Sequence, residues 1–220
     1  MFFIRCWLQL FFRALAKLIL QKLKQMKILN LYAGIGGNRK LWGNDHKITA
    51  IEIDQQTADI YKKEFLNDTV IVGDAHQYLL DHYKEFDFIW SSPPCPTHSV
   101  TNHFLNAQGI IRYPDMMLWQ EIIFLKHFCK VKYCVENVKS YYDPMFNPKE
   151  IGRHYLWSNF TISTIEQPKK DIGRMNGNRQ AASKKNKQER NMVNYRLGQH
   201  VLDCAMNVIR SEDIKQGELF

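Results

Sequence analysis

Eleven glycines and seven prolines in 220 residues are too few for a collagen-like or low-complexity chain, and the composition does not suggest a repeat architecture. The five cysteines (Cys6, Cys95, Cys129, Cys134 and Cys204) include no Cys-x-x-Cys pair, which argues against a zinc ribbon; their odd number argues against a disulfide framework. That usage suits a reducing compartment, so a cytoplasmic location is expected. A membrane span is also missing. The most apolar stretch, residues 1–26, is interrupted by Arg5, Arg13 and Lys17, whereas a span needs roughly twenty mostly apolar residues.

That same stretch contains no acid and five bases. Its polar residues recur every four positions, from Arg5 through Gln9, Arg13, Lys17 and Gln21, which predicts a basic amphipathic helix over 1–26. The expected role is an added helix packed on the core or on a partner, with membrane-surface contact as an alternative and no stable insertion. The rest, 45% hydrophobic and 24% charged for the whole chain, suits one domain spanning 27–210. Of the net charge of +8, +5 lies in 1–26 and +6 in 168–190, so everything else carries −3. Positive charge in two segments flanking a mildly acidic body is expected of a chain that meets a polyanion.

After Met26, short apolar runs alternate with amphipathic stretches. Strands are predicted at 27–32, 47–53, 69–74, 86–92 and 133–138, with helices at Gln55–Phe65, Gln77–Tyr83 and Met116–Phe128. With right-handed crossovers this is a doubly wound three-layer α/β sandwich. Ligands in such folds bind beyond the carboxyl ends of the strands.

The first strand runs into Tyr32-Ala33-Gly34-Ile35-Gly36-Gly37, a turn that lets a ligand approach backbone amides. The third glycine of a dinucleotide fingerprint is missing, because Arg39 occupies its place. The second strand ends in Glu52-Ile53 and the third in Asp74-Ala75, carboxylates suited to ribose hydroxyls and an adenine amino group. Each acid alone reads more readily as a solvated loop residue or a helix cap, and their joint placement reverses that preference. Together they form a nucleoside pocket without a phosphate cradle, which suits S-adenosyl-L-methionine.

The fourth strand ends in Ser91-Ser92-Pro93-Pro94-Cys95-Pro96-Thr97-His98-Ser99, where prolines fix the backbone and hold Cys95 on a rigid loop at the ligand edge. The fifth ends in Glu136-Asn137-Val138. A thiolate and a glutamic acid facing one pocket can add to an electron-poor ring while hydrogen-bonding its nitrogen. A metal site of Cys95, His98 and His103 is disfavoured, because zinc would quench the thiolate and no fourth ligand is evident.

Taken together, LYAGIGG, IEID, SPPCPTHS and YCVENV resemble, in order, the cofactor turn, ribose acid, nucleophile loop and Glu-Asn-Val motif of the cytosine-5 DNA methyltransferases. The resemblance covers about residues 27–165 and returns at Gln188-Glu189-Arg190-Asn191-Met192-Val193, followed by a helical stretch over Leu197–Ile209. It implies a Rossmann-like S-adenosylmethionine-dependent methyltransferase. In that mechanism Cys95 attacks carbon 6 of a flipped-out cytosine and Glu136 engages nitrogen 3, with Arg153 near the base carbonyl. The implied cofactor contacts are Tyr32, Ile35, Glu52, Ile53, Asp74, Ala75, Pro94, Leu118 and Asn191, together with the glycine turn.

Three departures stand out. Tyr155 occupies the place of the family's second arginine, and Arg190 that of a glycine. Only about 25 residues are available for a target-recognition region, a short basic loop over 166–187. The expected partner is double-stranded DNA, with 169–190 contacting phosphates and room for a partner protein to supply recognition. Alternatives are a tRNA cytosine-5 methyltransferase, an exocyclic-amine methyltransferase suggested by Ser92-Pro93-Pro94, and a nucleic-acid-binding relative without turnover.

Overall fold

Short apolar runs linked by helices make the strands of a parallel sheet. In the computed structural model, which describes residues 25–165 and 192–208, these are β1 (Lys27–Leu31), β2 (Lys47–Glu52), β3 (Thr69–Val72), β4 (Phe88–Ser91) and β5 (Lys132–Val138). The expectations for the N-terminal helix, the basic loop, Arg190 and Asn191 lie outside the described residues. Two further strands, β6 (Lys149–Ile151) and β7 (His154–Ser158), form a hairpin turned at Gly152, whose φ is 58°. The seven strands form one sheet in the order β3-β2-β1-β4-β5-β7-β6. β1 to β5 run parallel, and β7 is antiparallel to both of its neighbours. The order reverses between β1 and β4, which opens a crevice at their carboxyl ends.

Helices cover both faces, as a doubly wound Rossmann-like sandwich requires. They are α1 (Gln55–Glu64), α2 (Ala75–His82), the short α3 (Asn102–Ala107), α4 (Met117–Phe128) and α5 (Tyr195–Met206). Alternate β1 residues separate the two layers. Leu29 and Leu31 join Leu79, Ile122 and Leu125 of α2 and α4, whereas Ile28 joins Trp42, Leu197 and Val201 on the α5 side. Among the described residues no helix is long and apolar enough to cross a membrane.

The alternation of strand and helix fails between β1 and β2. Residues 34–45 form successive tight turns instead, with Arg39 N donating to Gly36 O and Trp42 N to Arg39 O. Two fastenings hold them. Arg39 makes a buried bidentate pair with Asp68, at 2.8 and 3.0 Å, and the Tyr61 hydroxyl donates to the same carboxylate at 2.8 Å. The third-glycine position is thus occupied by an anchoring cation. α5 supplies the second fastening: Trp42 Nε1 donates to the Gly198 carbonyl at 3.0 Å, and a Cβ on Gly198 would lie 2.2 Å from Asn38 O.

Candidate active site

The carboxyl ends of β1, β2, β4 and β5 open onto a cleft of about 900 Å³. On one side lies the glycine turn. Tyr32 enters it with a φ of 54°, a left-handed conformation uncommon outside glycine and often found at functional sites. Glu52 at the end of β2 accepts from Gly34 N at 2.9 Å through one oxygen and from Asp54 N at 3.0 Å through the other, so its carboxylate is fixed facing the turn. Asp74 caps α2 by accepting from Gln77 N at 3.0 Å. The cap and pocket readings of this acid coexist, because Asp74 also lines the cleft.

Tyr32, Ala33, Gly34, Ile35, Gly37, Glu52, Ile53, Asp74, Ala75, Pro94 and Leu118 all line the cleft. Gly36 does not. It is buried with a φ of 81°, and a Cβ there would strike Tyr61 and Phe65, so this residue seats the turn on α1. At Gly37 a Cβ would meet the Met192 side chain at 2.0 Å and Val193 O at 2.5 Å. The described end of the late motif therefore rests directly on the glycine turn, a close approach only glycine permits.

Cys95, Glu136 and Arg153 line the other side of the same cleft. The proline loop is tied down at several points. Asn137 Nδ2 donates to Pro93 O at 3.0 Å, Asn102 Nδ2 to Pro96 O at 2.9 Å, and His98 Nδ1 lies 2.6 Å from the Tyr142 hydroxyl. Backbone amides of His98 and Ser99 both donate to Cys95 O. Burial, and after it the Glu136 carboxylate, push the Cys95 thiol above its ordinary value, while a backbone hydrogen bond and Arg153 pull it down. Burial lowers His98, which is committed to Tyr142.

Two further groups, His154 and Glu121, escaped the sequence reading. His154 Nδ1 lies 2.5 Å from Glu136 Oε1, both residues nearly inaccessible, so imidazole and carboxyl are hydrogen-bonded across the β5–β7 pairing. Tyr155, by contrast, points to the α4 side, where its ring lies 5.8 Å from Trp157, and is absent from the cleft lining. Beneath the glycine turn, wholly buried Glu121 of α4 accepts from Ser91 Oγ and, at 3.0 Å, from the Tyr32 hydroxyl, with His76 Nδ1 at 3.5 Å. Burial and Glu121 raise the Tyr32 phenol, and Glu121 raises His76 against the opposing effect of its burial. A signal existed in the sequence. Glu121 falls three residues after Leu118 and four before Leu125, on an otherwise apolar helix face, where a carboxylate survives only with partners.

A family model described as C-5 cytosine-specific DNA methylase matches residues 26–149. The chain belongs to this family. In this methylase the match takes in the glycine turn, Glu52, Asp74, Cys95 and Glu136 and stops before Arg153 and His154. Among solved structures, DNMT2 from Spodoptera frugiperda is 28% identical over 51% of this chain and 35% of its own, with a TM-score of 0.38. The presumed methyltransferase yhhF from Escherichia coli is 15% identical over 66% of this chain and 81% of its own, with a TM-score of 0.40. A SAM-dependent methyltransferase from Agrobacterium tumefaciens is 12% identical over 52% and 39%, with a TM-score of 0.38. No curated protein matches the sequence.

Proposed function

We propose that this methylase transfers a methyl group from S-adenosylmethionine to carbon 5 of cytosine in double-stranded DNA through a covalent Cys95 adduct, in a single domain spanning 27–210. The observation that carries the reading is the opening of Cys95 and Glu136, on the neighbouring strands β4 and β5, into the cleft that also holds the glycine turn, Glu52 and Asp74.

The donor set fits the cofactor. Two carboxylates at the ends of β2 and β3 suit ribose hydroxyls and an adenine amino group, and a sulfonium carries positive charge where a dinucleotide carries phosphates. Arg39, the nearest cation of the turn, is committed to Asp68 and is not offered to a phosphate. In this reading Tyr32, Ala33, Gly34, Ile35, Gly37, Glu52, Ile53, Asp74, Ala75, Pro94 and Leu118 hold the cofactor, with Asn191 contributing from the late motif. Bound there, S-adenosylmethionine supplies an electrophilic methyl group.

On the base side, the Cys95 thiolate adds to carbon 6 of an extruded cytosine, which makes carbon 5 nucleophilic. Glu136 hydrogen-bonds nitrogen 3 and offsets the charge that builds on the ring. His154 holds the Glu136 carboxyl through Oε1, leaving Oε2 for the base. Arg153 favours the thiolate and lies within reach of a bound base in the cleft. After carbon 5 takes the methyl group, its proton passes to water, the carbon 6–sulfur bond breaks and the Cys95 thiolate returns.

The test is transfer of labelled methyl from S-adenosylmethionine to duplex DNA and to tRNA, with digestion to nucleosides. Label in 5-methyldeoxycytidine that disappears in Cys95→Ser is expected. Label in RNA would move the substrate and keep the chemistry. Label in an exocyclic amine, or undiminished transfer by Cys95→Ser, would overturn the covalent mechanism.

A further inference from the structure

Outside the cleft the cysteines differ sharply. Cys129 and Cys134 are buried, and burial holds both thiols above their ordinary value. Cys204, on α5, is partly exposed and lies one helical turn after His200, so the two side chains share a helix face. His200 Nε2 stands 2.9 Å from the Ser163 carbonyl oxygen, 3.2 Å from Ser163 Oγ and 3.6 Å from Cys204 Sγ. A carbonyl oxygen only accepts, so Nε2 carries the proton, and this single N–H is shared between the Ser163 carbonyl and the more distant sulfur. Ser163 Oγ lies 3.7 Å from the same sulfur, and its hydroxyl hydrogen rotates freely enough to point there.

A shared imidazole N–H and a rotatable hydroxyl therefore adjoin one sulfur, an arrangement that favours the thiolate. Burial raises the Cys204 thiol, but the hydrogen bonds from His200 and Ser163 outweigh it and leave the group below its ordinary value. The nearest carboxylate on the same helix, Asp203, accepts from Gln199 Nε2 at 2.8 Å through Oδ1. Cys95 lacks this arrangement: in the cleft it stands beside a carboxylate and above its ordinary value.

We propose that the Ser163–His200–Cys204 cluster is a thiol modification site, at which Cys204 is oxidised reversibly by peroxides ahead of Cys95. The Cys204 thiolate attacks one peroxide oxygen, the oxygen–oxygen bond breaks, and the departing hydroxide takes up a proton to become water. The sulfur loses two electrons and becomes a sulfenic acid, and the peroxide is reduced. Two further thiols restore the cysteine: the first condenses with the sulfenic acid, releasing water and forming a mixed disulfide, and the second attacks that thiol's sulfur and displaces Cys204 as its thiolate.

The experiment treats the full chain with hydrogen peroxide at neutral pH, traps sulfenic acid with dimedone and maps the adduct by peptide mass spectrometry. Cys204 is expected to label several-fold faster than Cys95, Cys129 or Cys134. His200→Gln should slow it several-fold. Ser163→Ala, a small change at an exposed residue, should slow it measurably in a chain that still folds. Labelling of Cys204 no faster than Cys95, or unchanged by both substitutions, would overturn the proposal. Methyl transfer plays no part in this readout, so its failure and that of the proposed function are separable.

Discussion

A thiol attacks only as its anion, yet both burial and the neighbouring Glu136 hold the Cys95 thiol up, and Arg153 is among the groups that counter them. A raised thiol is protonated at neutral pH, and its thiolate fraction grows roughly tenfold per pH unit below the titration point. Single-turnover methyl transfer should therefore climb with pH through and beyond neutrality and level only above the ordinary range of a cysteine thiol. Arg153→Met removes a group that lowers the thiol, so the plateau should move to higher pH. The expected loss is about tenfold at neutral pH and shrinks as pH rises. A loss equal at every pH in the single-turnover profile would mean that Arg153 does not act through the thiol. Between Arg153 and Tyr155 in sequence, His154 is the side chain that reaches Glu136.

At the scale of elements, α5 packs on the turns that join β1 to β2, and it does so through a glycine. Gly198→Ala would put a methyl group 2.2 Å from the Asn38 carbonyl oxygen, where backbone and not a flexible side chain must yield. Chemical denaturation should show a loss of about 1–3 kcal/mol. Because Asn38 lies in the cleft lining, S-adenosylmethionine affinity measured by calorimetry should fall with it. An unchanged midpoint would mean that α5 shifts without strain.

What the sequence disclosed follows the same physics. β1, β2, β4 and β5 are legible because strands in a parallel sheet are apolar on both faces, and the chemistry-bearing residues follow them directly. β6 is only three residues long and joins β7 directly through the turn at Gly152, so the hairpin lacks the connecting helix that sets off the parallel strands. Six-residue α3, in NHFLNA, carries little pattern. Arg39 was readable only as a missing glycine, since its partner Asp68 stands 29 positions away. Glu121 and His154 are similar: their meaning lies in contacts with Tyr32 and Glu136, which only the assembled sheet creates.

For the whole molecule, the distribution of charge sets how a polyanion approaches. Glu52, Asp74 and Glu136 line the cleft, and the chain outside 1–26 and 168–190 carries −3. Such a body repels phosphates at distance, so a DNA substrate needs cations supplied from the two basic segments. Replacing Lys169, Lys170, Lys184, Lys185 and Lys187 together with Gln removes five of the eight bases in 168–190. Each lysine that neutralises a phosphate contributes about 0.9 to the slope of log affinity against log salt. The variant's KM for duplex DNA should therefore rise steeply at low salt, and its salt slope should flatten by up to roughly 4, while kcat at saturating DNA stays unchanged. A fall in kcat with KM and slope intact would instead place these lysines in the chemical step, because counterion release acts on encounter and not on a bound, extruded base.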